Sequence, residues 1–156
     1  AVTVSPYFGK EALGPFLELK DKGIIVLCHT SNLGSAEFQE QKLENGKPLY
    51  LKVAENVANI WNKNGNCALV VGSTYPVPLR EVRAVVGDLM LLVPGGGSQG
   101  GKVSEMVPAG VDSRREGAVF SFSRDVIFAS SGNDYPEAAR KKAMCLRDEI
   151  NQYRKA

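Results

Sequence analysis

Pro94-Gly95-Gly96-Gly97-Ser98-Gln99-Gly100-Gly101 is the stretch on which the fold turns. It follows the apolar run Leu89-Met90-Leu91-Leu92-Val93, which reads as a buried strand. It precedes Lys102 to Val107, which can begin a helix. A strand feeding a glycine-rich turn and then a helix N-terminus makes an anion cradle. Glycine lets the backbone come close to a ligand, and the first helical N–H groups point at it. The expected partner is a phosphate-bearing small molecule; a merely flexible loop is the bland alternative. Gly96 to Lys102 also carries the G-x-x-x-x-G-K spacing of a nucleotide P-loop. Val103, however, stands where that motif needs a Ser or Thr hydroxyl for magnesium, which argues against triphosphate hydrolysis.

Working outward, the same pattern recurs on both sides. Val2 to Ser5 reads as a short strand closed by Pro6, and Lys10 to Lys20 as a helix with Leu13, Phe16, Leu17 and Lys20 on one face. Gly14-Pro15 weakens that helix's first turn, and Gly23 is placed to follow its C-terminus. Ile24 to Cys28 is a continuous β-branched run, as expected of a strand buried on both faces. After the charged loop Glu37 to Lys47, Pro48 opens a helix to Asn62 with Leu49, Val53, Val57, Ile60 and Trp61 as its apolar stripe. Cys67 to Val71 is a third strand, followed by a helix from about Val77 to Val86 that Gly87 stops. Beyond the glycine stretch a short helix runs to about Pro108, and Gly117 to Phe122 is the fifth strand. Asp134 is placed to cap a last helix, with Ala139, Ala143, Leu146, Ile150 and Tyr153 inward.

Strands alternating with helices predict a parallel sheet with right-handed crossovers, whose ligands bind beyond the C-terminal strand ends. Those ends are Ser5-Pro6-Tyr7, Thr30-Ser31-Asn32, Gly72-Ser73-Thr74, Pro94 to Gly101, and Ser123-Arg124. All are polar or glycine-rich, which puts one active face on the sheet. In an eight-stranded α/β barrel, phosphate lies between the loops after the last two strands. If the fourth and fifth strands are those two, Gly100, Gly101 and Arg124 converge, and the Arg124 fork clamps a pair of phosphate oxygens. A surface ion pair is the plainer role for Arg124, and a turn serine the plainer role for Ser31. His29 reads as a packed or solvated strand-end histidine, because no acidic partner is evident.

Composition narrows the classes. The 156 residues, 44% hydrophobic and 23% charged, suit a soluble domain or part of one. The net charge of +2 carries no basic stripe, which argues against nucleic acid. A single histidine excludes a His-rich metal site, and Cys28, Cys67 and Cys145 form no C-x-x-C pair, so reduced thiols of a cytoplasmic protein are expected. Neither a signal peptide nor a membrane-length apolar run is present. The chain opens inside a strand, Ala1-Val2-Thr3-Val4-Ser5, from which preceding residues are expected elsewhere, in the same or another chain.

The motifs Ala1-Val2-Thr3-Val4-x-Pro6-Tyr7-x-Gly9, Thr30-Ser31-Asn32-x-Gly34-Ser35, Val71-Gly72-Ser73-Thr74-Tyr75-Pro76, Val93-Pro94-Gly95-x-Gly97-x-Gln99-Gly100-Gly101 and Ser123-Arg124 occur in this order. Together they resemble the C-terminal portion of orotidine 5′-phosphate decarboxylase, in its longer bacterial-type branch. That resemblance implies a TIM (β/α)8 barrel of which this chain supplies roughly strands 4–8. It also implies a cytoplasmic homodimer that makes uridine 5′-monophosphate from orotidine 5′-monophosphate without cofactor or metal. Ser31, with Thr30 beside it, would contact the pyrimidine edge, Pro94 would pack near the base, and Gln99 would span base and phosphate. Gly100 or Gly101 backbone and Arg124 would hold the phosphate.

Three positions depart from the pattern. Gly96 stands where the family usually has Val or Ile, Leu33 replaces the common Pro, and His29 stands where a basic or small residue is more usual. The family's alternating Asp–Lys array, Asp-x-Lys-x-x-Asp with a separate Lys, is absent; it would lie on the first three strands. No catalytic residue is therefore expected in this chain, and it should be active only with an N-terminal barrel segment. The alternatives are a non-catalytic barrel fragment that binds nucleoside monophosphates, or a sister barrel acting on a sugar phosphate.

Overall fold

A computed structural model describes residues 1–97 and 100–155. Its centre is a five-stranded sheet in which β1 (Val2–Val4), β2 (Ile24–His29), β3 (Cys67–Val71), β4 (Met90–Pro94) and β5 (Ala118–Ser121) lie side by side in chain order. Every pairing is parallel. The crossovers carry α1 (Gly9–Leu17), α2 (Leu49–Asn56), α3 (Pro76–Val86) and α4 (Val103–Gly110); α5 (Arg124–Ile127) and α6 (Tyr135–Lys155) follow β5. Strand order that never reverses is the arrangement of a barrel arc; a doubly wound sheet turns back at a switch point.

The register divides the sheet into two faces. Val4, Val26, Leu69, Leu91 and Ala118 form one row, and with Ile24 and Val93 this face packs under the helices. Ile24, Val26, Leu69, Leu91 and Val93 are fully buried there. The alternate rows run through Thr3, Ile25, Ala68 and Met90, and through Leu27, Val70, Leu92 and Val119. That second face is equally apolar, yet Met90 and Val119 remain 45% and 53% exposed. No described helix covers them.

Local chemistry explains most boundaries. Pro76 opens α3, where a missing N–H costs nothing, and Gly87 ends it at φ 58, with Leu79, Val82 and Val86 buried between. Arg83, half-buried on α3, ties the helix ends to the sheet. Its Nε and Nη2 donate to the Gly110 carbonyl at 2.9 and 2.7 Å. Nη2 also reaches the Gly117 carbonyl at 2.7 Å, and Nη1 the Gly87 and Leu89 carbonyls at 2.6 and 2.7 Å. A guanidinium thus closes the carbonyl ends of both α3 and α4, where cations are favoured.

Several expectations need correction. The first helix stops at Leu17, two residues after Pro15; Leu13 and Leu17 face inward, while Phe16 is 40% exposed and Lys20 lies beyond the helix. Gly23 therefore does not cap it; its carbonyl accepts the Val2 N–H at 2.9 Å. The long helix buries Val57 and Trp61 as expected, but its first half buries Tyr50 and Ala54 more fully than Leu49 and Val53, and Ile60 is 44% exposed. Tyr50 turns inward because its hydroxyl donates to Glu81 on α3. The helix also finishes as a π turn over Val57–Trp61. On α6, Leu146 is buried as expected, but Ala143 is exposed. Among the described residues no helix is long and apolar enough to cross a membrane.

Candidate functional site

The polar ends of the strands meet at one side of the sheet. β2 reaches it through a register shift between Leu27 and His29, which turns both Cys28 and His29 into the helix layer. The Cys28 thiol contacts the Tyr50 carbonyl at 3.2 Å, and burial pushes its pKa up to about 12, so it is inert at neutral pH. His29 is fully buried, edge-on to the Tyr50 and Tyr75 rings at 5.0 and 5.3 Å. Its Nε2 lies 3.1 Å from Glu40 Oε1. The acidic partner that the sequence did not reveal is therefore Glu40. The histidine ties the loop before α2 to the strand, as a packed residue would.

Beyond the bulge, Thr30 and Ser31 reach a cavity of about 670 Å³, within the range of small-molecule sites. Leu27 and Val70, neighbours in one register row, line it together with Asn32 and Leu33. Pro94 closes it from the end of β4, and Arg124 from the first turn of α5. Four of the residues singled out in the sequence, carried on three different strand ends, thus share one space. The Thr30 hydroxyl is already engaged there: it donates to Asn32 Oδ1 at 2.6 Å.

The glycine loop behaves differently. Gly95, Gly97 and Gly100 adopt φ of 95°, 71° and 98°, open to glycine alone at little cost. The loop closes on itself: Gly97 N–H donates to Gly101 O at 3.0 Å, Gly100 N–H to Gly97 O at 2.7 Å, and Gly101 N–H to Gly95 O at 3.2 Å. The amides expected to cradle phosphate therefore have internal partners, and neither Gly100 nor Gly101 lines the cavity that Arg124 lines. Ligand binding by these amides requires those bonds to exchange. Gln99 lies outside the described residues.

Close approaches pin the loop to its neighbours. A Cβ on Gly101 would lie 2.8 Å from Ser73 Cβ, and one on Gly97 2.6 Å from Asp125 Cγ. One on Gly96 would lie 2.8 Å from Phe122 Cζ. The Phe122 ring thus fills the place that a Val or Ile at position 96 would occupy. Phe122 and Asp125 flank Ser123-Arg124, so the loop after β4 packs against the turn that carries the guanidinium. Sequence reasoning missed Gln39 and Glu40, which sit in an aperiodic charged loop, and Asp125; it placed Ser73 at a strand end without its contact to the glycine loop. Among the described residues no group of three His, Cys, Asp or Glu side chains could hold a metal ion.

Parallel strands in unbroken order, with a cavity of small-molecule size at their C-terminal ends, define the class: an arc of an α/β barrel. Within that class the resemblance is specific. The chain is 52% identical over 155 residues to orotidine 5′-phosphate decarboxylase of Bordetella avium, a match covering 99% of this chain and 57% of that protein. The solved structure of Leishmania donovani OMP decarboxylase superposes with a TM-score of 0.84 at 38% identity, over 99% of this chain and 57% of the other. Leishmania donovani UMP synthase gives 0.85 at 41% identity, over 97% and 32%. No protein-family model matches. By sequence and by fold the chain is similar, over its whole length, to a C-terminal portion of orotidine 5′-phosphate decarboxylase. It spans little more than half the length of the curated decarboxylases it matches.

Proposed function

We propose that the chain forms the nucleotide-binding part of an orotidine 5′-phosphate decarboxylase barrel, supplying strands 4–8. An N-terminal segment, in the same or a separate chain, supplies strands 1–3 and the Asp–Lys array. The observation that carries this reading is the cavity shared by Thr30, Ser31, Pro94 and Arg124. Ser31 and Thr30 meet the pyrimidine edge, Pro94 packs on the base, and Arg124 pairs with the phosphate. Gly100 and Gly101 add backbone amides once their internal bonds exchange, and Gln99 spans the two ends.

In the reaction so read, the bond between C6 and the carboxylate breaks and carbon dioxide leaves. The electron pair stays on C6 and takes a proton from a lysine ammonium of the N-terminal segment, giving uridine 5′-monophosphate. The residues of this chain fix the substrate by its base and phosphate, so that binding energy far from C6 orients the reacting bond. The reading includes a cytoplasmic homodimer and needs no cofactor, nucleic acid or membrane.

The open sheet supports the same conclusion. Met90 and Val119 expose apolar surface on the concave face, and β1 and β5 each leave an edge of a parallel sheet unpaired among the described strands. Such surfaces are normally covered. Absorbance loss of orotidine monophosphate is the test. The 156-residue chain alone should give none, and addition of a segment with strands 1–3 should restore it. Turnover by the chain alone would contradict the division of labour.

A further inference from the structure

We propose that Gln39 is a positioning residue that holds the Ser31 turn in shape to recognise a pyrimidine, a role that rests on the function proposed above. The turn follows the β2 bulge, where the ladder to β3 ends with Gly72 N–H donating to His29 O at 2.8 Å. Thr30 N–H, the next donor, goes to Gln39 Oε1 at 2.8 Å. Gln39 Nε2 donates to Thr30 Oγ1 at 2.9 Å, and that hydroxyl spends its proton on Asn32 Oδ1 at 2.6 Å. The chain of bonds fixes the orientation of the Gln39 amide, because a flip would set its NH2 group against the Thr30 N–H.

Gln39 is itself anchored. Its N–H donates to Ser35 O and its carbonyl accepts Tyr50 N–H, both at 2.9 Å, so a 3-10 turn over Leu33–Glu37 and the first turn of α2 hold its backbone. From the other side Thr74 Oγ1 approaches the Ser31 carbonyl at 3.3 Å, and the β3 backbone packs so closely that a Cβ on Gly72 would lie 2.7 Å from Ser31 N. Ser31 is thus clamped between Gly72, at the end of β3, and Thr30, which Gln39 holds without itself lining the cavity. Recognition of a base edge tolerates a misplacement of only about 0.5 Å, so the clamp decides whether Ser31 is useful. Arg124 lines the cavity from the first turn of α5, outside the bonds that hold Thr30 and Ser31.

The test compares two ligands by calorimetry on the completed barrel: uridine 5′-monophosphate, which has a base, and ribose 5-phosphate, which has none. Gln39→Leu should weaken the nucleotide about tenfold, the loss of roughly one hydrogen bond, and leave ribose 5-phosphate within about twofold. Gln39→Glu, which keeps the acceptor for Thr30 N–H, should recover part of the loss and serves if Gln39→Leu does not fold. Glu40→Gln, altering the neighbouring tie to His29, should leave the preference for the nucleotide intact. Equal loss for both ligands, or no loss for the nucleotide, would overturn the positioning role. If the unsubstituted barrel binds neither ligand, the proposed function fails first and takes this inference with it.

Discussion

Replacing Gly96 with alanine isolates one contact that distinguishes this chain from the pattern it resembles. A Cβ built there would sit 2.8 Å from Phe122 Cζ and 2.9 Å from Cδ1, well inside van der Waals contact with a half-buried ring. Gly96 is not among the glycines with positive φ, so alanine meets no backbone strain and gains about 0.4–1 kcal/mol by restricting the unfolded chain. Overpacking against the ring costs about 1–3 kcal/mol. The net expectation is a destabilisation of roughly 0.5–2 kcal/mol. Phe122→Leu should cost about 1–2 kcal/mol through lost burial. In the double variant the clash disappears, and its loss should fall short of the sum of the two single losses by about 1–2 kcal/mol. Urea unfolding followed by the fluorescence of Trp61 measures all four corners of the cycle. Losses that add to within about 0.5 kcal/mol, or a stabilised Gly96→Ala, would refute the claim that Phe122 occupies the missing side chain's place.

Other perturbations test the frame and its chemistry. Arg83→Lys keeps the charge but loses the fork that serves four carbonyls, and should cost about 2–4 kcal/mol in denaturant unfolding. A loss within experimental error would make the staple ornamental. Cys28 and Cys67 are buried and their thiols are raised by burial, whereas Cys145 is exposed. A thiol reagent at pH 8 should therefore titrate one rapid thiol in the folded chain and three in urea. Asp112, capping the turn before β5, accepts from the Glu116 and Arg114 amides at 2.9 Å. The Glu116 backbone, foremost, and then Arg114 hold its carboxyl below its ordinary value of 3.8 despite burial. That contribution is complete above pH 3.8 and fades as pH falls through the lower folded value. Asp112→Asn should therefore lose stability at neutral pH and show a shallower decline between pH 5 and 2 than the parent.

How far the sequence could be read followed from how local each signal is. β3 was legible to the residue because Cys67-Ala68-Leu69-Val70-Val71 is an unbroken apolar run between turn residues. The parallel order followed from the alternation of such runs with helical stretches, and the binding face from the polar strand ends. What escaped detection depends on partners distant in the chain. The inward turn of Tyr50 is set by Glu81 on the next helix, which alters the first half of the expected stripe while Val57 and Trp61 stay buried. Glu40 reaches His29 from a loop without periodicity, so no spacing rule links them. The glycine loop announced conformational freedom, but that its amides bond to its own carbonyls is a matter of which acceptors the folded loop brings near. Similarly, only three dimensions reveal that Phe122 and Gly96 share one volume.

The central claim is that the end of β2, the end of β4 and the start of α5 form one site for a pyrimidine nucleotide. Calorimetric titration of the completed barrel with uridine 5′-monophosphate, before and after Arg124→Ala, tests it most directly. Loss of a charge-assisted contact to phosphate should weaken binding by about 2–3 kcal/mol, roughly 30- to 150-fold. Unchanged affinity in Arg124→Ala would contradict the account.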